Sequence, residues 1–427
     1  MAILRLNRHD LSPVRLHTVK TDKYKTNLIV LKLRAPLDER TVTMRALLAY
    51  VLQRATASLP SAKQLRRKLN ELYGAQLSAQ LAKKGDTHVI SFKMEVANEK
   101  FLSDSTPLLE NALRLLGEII LSPKLVDGHF DPEIVEREKR TLKQRMQSVR
   151  DDKMRYATTR LIEEMCKNEP YRLHAYGEEE RLNEITPEQL TTYYRQLLAD
   201  NLIDVFIVGD IDEHDVRGLA RDVFRFPKHV GSEQTVHVLS HAASEETEEI
   251  TETEDIEQGK LNLGYRTNIT FGDEDYFPLV VYNGIFGGFP HSKLFMNVRE
   301  KASLAYYASS RIESHKGLLL VFSGIQSSNY DKAVSIIKEQ TEKMRRGEIG
   351  GEEFQQTKNM LNHQVLETVD SAAGSVEFFF NGTVAGKSVS VEDWVDAINA
   401  VTLEDVVRVA NQVKLDTVYF LRGKEGS

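Results

Sequence analysis

Phe286-Gly287-Gly288, then Ser292-Lys293-Leu294-Phe295-Met296-Asn297-Val298-Arg299-Glu300-Lys301, then Leu304-Ala305-Tyr306 is the stretch from which the rest of the chain is read. It spells a glycine-rich turn, a short helix and the opening of a strand through Tyr307-Ala308-Ser309, with a second strand at Leu318-Leu319-Leu320-Val321-Phe322. On the residues alone, Arg299-Glu300-Lys301 is an exposed helix end and Tyr306 a strand residue packed on the core. The same order occurs earlier in the chain. Ser61-Ala62-Lys63-Gln64-Leu65 opens a helix through Leu72, Gly74-Ala75-Gln76-Leu77-Ser78-Ala79 follows, and His88-Val89-Ile90-Ser91-Phe92 supplies the strand.

Two further echoes make internal duplication the reading. Ile185-Thr186-Pro187-Glu188-Gln189-Leu190 and Val401-Thr402-Leu403-Glu404-Asp405-Val406 are helix starts of one construction. Thr186 and Thr402 are N-caps whose hydroxyls accept from unpaired backbone N–H groups. Gln189 completes a capping box, Asp405 makes a weaker one, and Ile185/Leu190 and Val401/Val406 have hydrophobic-staple spacing. Each helix leads into a β-branched strand, Asp204-Val205-Phe206-Ile207-Val208-Gly209 and Thr417-Val418-Tyr419-Phe420-Leu421. A weaker match pairs Glu136-Arg137-Glu138-Lys139-Arg140 with Phe354-Gln355-Gln356-Thr357-Lys358. A period of roughly 220–230 residues means two homologous domains rather than a solenoid.

The expected fold is α+β, two homologous halves, each a mixed or antiparallel sheet packed with helices. Domains are placed at 1–230 and 256–427, with the acidic run Ser244 to Asp255 inside a 231–255 linker or edge. Pro after Thr106 and Asp131 opens two more helices.

Length and composition bound the class. At 427 residues the chain exceeds one ordinary core, and 41% hydrophobic with 28% charged residues is that of a globular protein. A net charge of −7 gives no basic excess to recruit nucleic acid or an anionic membrane. The lone Cys166 excludes a disulfide framework and fits a reducing compartment. Met1-Ala2-Ile3-Leu4-Arg5-Leu6 is too short an apolar stretch for a signal peptide, so the cytoplasm is the expected location. Phe286-Gly287-Gly288-Phe289 lacks the lysine and spacing of a phosphate-binding loop. His237 and His241 are four apart, but Val236-His237-Val238-Leu239 alternates as a strand, which separates them. His174, His291 and His363 are isolated.

The quoted stretch resembles the carboxy-terminal half of pitrilysin/insulinase-type zinc peptidases, the inverzincins, and the resemblance extends from Asn27-Leu28-Ile29-Val30 to the last strand. It implies that Arg299 and Tyr306 hold a substrate carbonyl and stabilise the oxyanion that forms as water attacks. It also implies an H-x-x-E-H helix in the first half, two His for zinc and a Glu for the water, with a distant Glu as third ligand. Aligned on Pro60-Ser61-Ala62-Lys63 and Tyr73-Gly74-Ala75-Gln76-Leu77, that motif falls on Leu47-Leu48-Ala49-Tyr50-Val51. Leu47 and Val51 replace the His ligands, Tyr50 the base, and Arg145 (or Gln144 beside it) the distant ligand. No His lies between His17 and His88, so the vacancy is independent of register.

The chain is most similar to bacterial members that lost the zinc motif and kept the Arg/Tyr pair. These join a zinc-bearing relative in one composite site, and one bacterial branch is associated with elongation factor P modification. The resemblance therefore implies a non-catalytic, substrate-binding or regulatory subunit, inactive alone. It would bind no cofactor itself, with zinc on a homologous peptidase partner and a peptide or unfolded protein as substrate. A homodimer in isolation stays open. The alternative is a scaffold homologue within a larger assembly, in which Arg299 and Tyr306 are relics.

Overall fold

The computed structural model describes residues 4–103, 106–227 and 246–424. His237, His241, Ser244 and Glu245 lie outside the described residues. In chain order the first half contains β1 (Asn7–Leu11), β2 (Val14–Lys20), β3 (Thr26–Pro36), α1 (Val42–Val51), α2 (Ala62–Glu71), β4 (Gln76–Lys84) and β5 (Thr87–Ala97). Then come α3 (Leu108–Leu121), the short strands β6 (Leu125–Val126) and β7 (His129–Phe130), α4 (Pro132–Asp151), α5 (Lys153–Met165) and α6 (Glu179–Glu184). The half closes with α7 (Pro187–Asp200), β8 (Leu202–Gly209) and α8 (Glu213–Val223). The second half contains β9 (Glu248–Glu254), β10 (Gly259–Arg266), α9 (Tyr276–Asn283), β11 (Ala305–Glu313), β12 (Leu318–Ile325) and α10 (Tyr330–Arg345). It ends with α11 (Gly351–Thr368), α12 (Ala372–Ala385), α13 (Val391–Ala400), α14 (Leu403–Ala410) and β13 (Lys414–Gly423). Among the described residues no helix is long and apolar enough to cross a membrane.

The two main sheets repeat one topology. The six-stranded sheet is ordered β1-β2-β8-β3-β5-β4; the five-stranded one, read from its far side, is β9-β13-β10-β12-β11. In both, the β2/β8-type pair is parallel and the following pairs are antiparallel. This is the duplicated α+β arrangement expected from the sequence. Both paired helix starts are capped as well, Thr186 with Gln189 and Thr402 with Asp405 each forming a full capping box. Asp405 therefore makes the whole reciprocal bond, not a partial one, because its carboxylate accepts from the Thr402 backbone at 3.0 Å.

The compact units are not contiguous stretches of chain. The first takes the chain to Gln147, resumes at Leu173, and includes Val369–Phe380. The second takes Ser148–Arg172, the chain up to Thr368, and everything from Asn381. A linear division of the sequence misses both transferred segments, because a helix amphipathic enough to cover a sheet does not record which sheet it covers.

In the second unit α5 lies on one sheet face. Ala157, Leu161 and Met165 pack with Leu318, Leu320, Phe322, Tyr419 and Leu421. Gly264 is needed here, since a Cβ would sit 2.6 Å from Met165 Sδ. The acidic run is explained by the same helix. Glu248–Glu254 is the edge strand β9, parallel to β13. Its alternate residues meet the cations of α5 and the turn after it: Glu254 with Lys153 at 3.0 Å, Glu252 with Arg160 at 2.8 Å and Glu248 with Lys167 at 2.9 Å. The described part of that run is thus a paired strand, where the sequence left linker and edge open. Beyond α5 the buried Glu169 receives Arg266 at 2.7 Å and Lys316 at 2.8 Å, and Arg266 also reaches Asp416 at 3.1 Å.

The first unit presents a charged face to the start of α12. Asp204, fully buried, accepts from Arg15, His17 and Arg34. Lys32, also buried, pairs with Glu377 and lies 4.2 Å from the centroid of the Phe380 ring. The opposite face packs α1, α3, α4, α7 and α8 into an apolar core.

Breaking a buried ion pair by deleting one partner leaves an uncompensated charge and costs about 3–5 kcal/mol. Glu169→Ala is expected to destabilise the chain on that scale, read as a lowered denaturant midpoint; a midpoint within error of wild type would remove Glu169 from this role.

Candidate functional site

In the first unit the helix on which the missing motif falls is α1, and its interior is apolar. Leu47, Leu48 and Val51 are buried, as is most of Tyr50. Its anchor is Arg45, fully buried. The guanidinium donates to His88 Nδ1 at 2.8 Å, Asn201 Oδ1 at 2.6 Å and the Leu33 carbonyl at 2.9 Å. His88 must then carry its proton on Nε2, which donates to the Ala175 carbonyl at 2.9 Å. Burial, reinforced by Arg45, pulls the His88 pKa down to about 3. His174 falls to about 4, first from burial and then from Lys83.

The residues aligned with the metal site meet one another. The Arg145 guanidinium lies 4.8 Å from the centroid of the Tyr50 ring, a cation–π contact. Burial pushes the Tyr50 phenol up to about 12; Arg145 acts against that and Tyr176 adds to it. Just past the end of α1, Arg54 grips both oxygens of the buried Glu138 at 2.8 and 2.9 Å, and Arg137 adds a contact at 3.0 Å. Leu47 and Val51 have no lone pairs, Tyr50 is a neutral phenol and Arg145 a cation, so this donor set does not fit Zn²⁺. Among the described residues no three His, Cys, Asp or Glu side chains stand where they could share a metal ion. His291 donates from Nε2 to Thr357 at 2.8 Å, since the Thr357 hydroxyl is itself committed to the Glu353 carbonyl. His363 is exposed.

In the second unit the quoted stretch forms two π-helical turns, Gly284–Gly288 and Phe295–Lys301, rather than an ordinary short helix. Wider π turns recur at functional sites. Glycine is required because the first turn presses onto β11. A Cβ on Gly287 would lie 2.5 Å from Ser310 Oγ and 2.7 Å from its backbone nitrogen, and one on Gly284 would lie 2.5 Å from a Thr357 methyl. Asn283 completes the contact by accepting from Ser310 Oγ at 2.8 Å.

The second π turn carries Arg299. Its guanidinium lies 4.6 Å from the centroid of the Phe295 ring and 3.6 Å from Glu300, with 43% of the side chain exposed. Ser303 turns the chain through a left-handed φ of 52°, and Leu304 N–H bonds back to the Val298 carbonyl at 3.1 Å. This returns the chain into β11 close behind the π turn. A bulge between Ala305 and Ala308 then breaks the ladder to β12. Tyr306 stands in that bulge with 72% of its surface exposed, while the neighbouring Tyr307 turns inward and its phenol is pushed up to about 12 by burial. Tyr306 is thus a solvent-facing phenol, not the packed core residue that a bare strand pattern suggests. Sequence reasoning missed Arg45 and Glu138; the available signal was a charge inside an otherwise apolar helix, Met44-Arg45-Ala46-Leu47-Leu48.

Residues 184–361 match the model of the peptidase M16 inactive domain. Over 414 residues the chain is 49% identical to the probable inactive metalloprotease YmfF of Bacillus subtilis, covering 96% of each. The chain belongs to the M16 peptidase family. A conserved protein of Enterococcus faecalis V583 superposes with a TM-score of 0.91 at 35% identity, covering 99% of both chains. The peptidase M16 inactive domain of Pseudomonas fluorescens has the same fold, with a TM-score of 0.79 at 16% identity over 99% of both chains. The pitrilysin-like fold expected from the glycine pair and the Arg/Tyr stretch is therefore that of this M16 chain.

If Leu47, Tyr50, Val51 and Arg145 do occupy the positions of ligands and base, restoring them together restores the donors. The quadruple variant L47H/Y50E/V51H/R145E is expected to hold about one zinc per chain by elemental analysis; failure to bind in a folded variant would displace the alignment.

His88 and His174 also set a pH dependence. Both are neutral in the folded chain down to about 3 and about 4. In the unfolded chain they protonate near pH 6.5, so folding stability is intact above that pH and declines as pH falls toward the folded values. Each contributes a slope of about 1.4 kcal/mol per pH unit. Denaturant titrations between pH 6.5 and 5 should show the decline, and His174→Gln should remove one of the two contributions.

Proposed function

We propose that this chain is the non-catalytic, substrate-binding or regulatory subunit of a heterodimeric zinc endopeptidase. The observation that carries the reading is a contrast. Arg299 and Tyr306 are held at the surface as hydrogen-bond donors by a glycine-dependent π-helical frame, while Leu47, Tyr50, Val51 and Arg145 stand where the resemblance would put a metal site. The frame supports a role still in use, because packing alone does not call for an exposed phenol in a strand bulge. The description of the B. subtilis relative as a probable inactive metalloprotease points the same way.

In this reading the partner is a homologous subunit with its own H-x-x-E-H helix, and zinc belongs to it. The metal would supply the activated water. This chain would hold an extended peptide so that its scissile carbonyl meets the Arg299 guanidinium and the Tyr306 hydroxyl, which donate to the oxygen as negative charge develops. A cytoplasmic location goes with the reading, in keeping with a chain whose single cysteine, Cys166, is buried.

The test is reconstitution with a zinc-bearing relative. Peptide hydrolysis is expected only in the mixture and should be lost to a chelator. Arg299→Ala and Tyr306→Phe should each lower kcat/KM by about 10²-fold, the scale for removing one oxyanion donor. Chelator-sensitive hydrolysis by the chain alone, or full activity in the double variant, would refute the assignment.

A further inference from the structure

At one end of the first unit's sheet, β5 and β8 both finish beside the start of β3, one on each side of it. Each leads into a helix, α3 after β5 and α8 after β8. A cavity of about 550 Å³ opens there, lined by residues just past the strand ends and by the opening turns of both helices. We propose that this cavity binds a small organic cation, an ammonium group carried on a short aliphatic body. The site is separate from Arg299 and Tyr306 and does not rest on the subunit role proposed above.

The lining separates by depth. Ile211 and Val216 are each 2% exposed and Leu109 8%, so the floor is apolar. The mouth carries carboxylates, with Asp212 and Asp215 exposed and Glu99 and Asp210 half-buried. Among the described lining residues Lys100 alone carries an amine or guanidine, and it is held by Asp210 at 2.7 Å. Asp212 accepts from the backbone N–H groups of His214 at 2.9 Å and Asp215 at 3.3 Å. Glu99 is different. Its Oε2 is buried with no hydrogen-bond donor. A buried carboxylate oxygen without a donor is costly, and an ammonium supplies donors and the opposite charge together.

An apolar floor beneath an acidic mouth also fixes how the occupant lies. The aliphatic end enters, and the ammonium stays among the carboxylates. The lysine side chain of another protein would enter ammonium first and set its charge on Leu109, Ile211 and Val216, where an unpaired charge is strongly disfavoured. The occupant is therefore a free amine and not a protein side chain.

Gly218 marks the space as kept open. It stands in the middle of α8 and lines the cavity, although glycine weakens a helix interior relative to alanine. Packing does not call for it, because a Cβ there would meet nothing within 4 Å. Gly117 of α3 shows the contrast, since its Cβ would sit 2.3 Å from Val223 Cγ1 of α8. One glycine lets the two helices close together; the other leaves the cavity wall without a side chain. In the second half no helix follows β13 among the described residues, so the matching sheet lacks this wall.

Calorimetric titration of the full chain with n-pentylammonium, pentanoate and n-pentanol tests the assignment. Pentylammonium should bind at least about tenfold more tightly than either control, which share its apolar body but not its charge. Nα-acetyl-lysine N-methylamide, which presents a lysine side chain in its peptide setting, should bind at least about tenfold more weakly than pentylammonium. Equal binding would make the occupant a lysine of a partner chain and overturn the free-amine assignment. Glu99→Gln keeps the shape, removes the charge and should weaken pentylammonium about tenfold. Gly218→Leu should fill the cavity and abolish detectable binding, while Gly218→Ala should raise the denaturant midpoint. If Gly218→Leu does not fold, Glu99→Gln decides. The proposal fails if pentylammonium gives no heat at millimolar concentration, or if pentanoate or pentanol binds as tightly. It fails equally if Glu99→Gln or a folded Gly218→Leu leaves the affinity unchanged, or if Gly218→Ala lowers the midpoint.

Discussion

A sheet of five or six strands has two faces to cover, and that requirement organises this molecule. In each unit a group of helices covers one face, and the other face takes a single helical segment from a distant part of the chain. The two solutions differ in chemistry. α5 meets its sheet through an apolar patch bordered by the β9 carboxylates and closed by Glu169, Arg266 and Lys316. The start of α12 meets a face of Lys32, Arg34 and Asp204, where Phe380 lies beside cations instead of among aliphatic side chains. Apolar burial contributes roughly in proportion to area. Exposed ion pairs contribute little, and buried ones only if fully paired. The α5 seat is therefore the more firmly held of the two on physical grounds. Lys32 secures the other seat through its pair with Glu377, and the cost of leaving it unpaired makes that seat specific.

The same requirement for pairing explains how α1 is held in place. The Tyr50–Arg145 stack ties α1 to α4, and Arg54, just past the end of α1, grips Glu138 of α4 through both carboxylate oxygens. Arg45 adds a third set of bonds to the sheet and α7. Three guanidiniums and a buried carboxylate thus fix the α1 region to its neighbours. A charged group fully inside the core is tolerable only when its donors are used, and Arg45 spends them on His88, Asn201, Tyr193 and Leu33.

Much of this was legible in the amino-acid order. Capping boxes depend on two residues three apart, so Thr186/Gln189 and Thr402/Asp405 could be read directly, and their repetition exposed the duplication. Other features are non-local. Lys153, Arg160 and Lys167 lie far along the chain from Glu254, Glu252 and Glu248, so the acidic run looked solvated until its partners were brought beside it. The transferred segments were hidden for the same reason, because periodicity shows that a helix has an apolar face and not which surface receives it. The π geometry at Phe295–Lys301 was out of reach as well. Over seven residues the 3.6-residue and wider periods leave nearly the same pattern. Arg299 was identified through its neighbours and not through any periodicity.

What the frame around Arg299 and Tyr306 requires is mostly steric. Gly284 and Gly287 let the first π turn approach Thr357 and Ser310, Ser303 accepts a left-handed turn, and the bulge turns Tyr306 outward. None of these features uses a residue of α1 or α4, and no charge in the first unit enters them. Leucine and valine on α1 in the first unit therefore place no strain on the frame in the second. In a duplicated chain each copy has its own core and its own caps. One copy can be held by the buried bonds of Arg45 and Glu138 while the other keeps an exposed arrangement that packing does not need. That independence is the physical condition under which one half of a duplicated fold can change its side chains without disturbing the other.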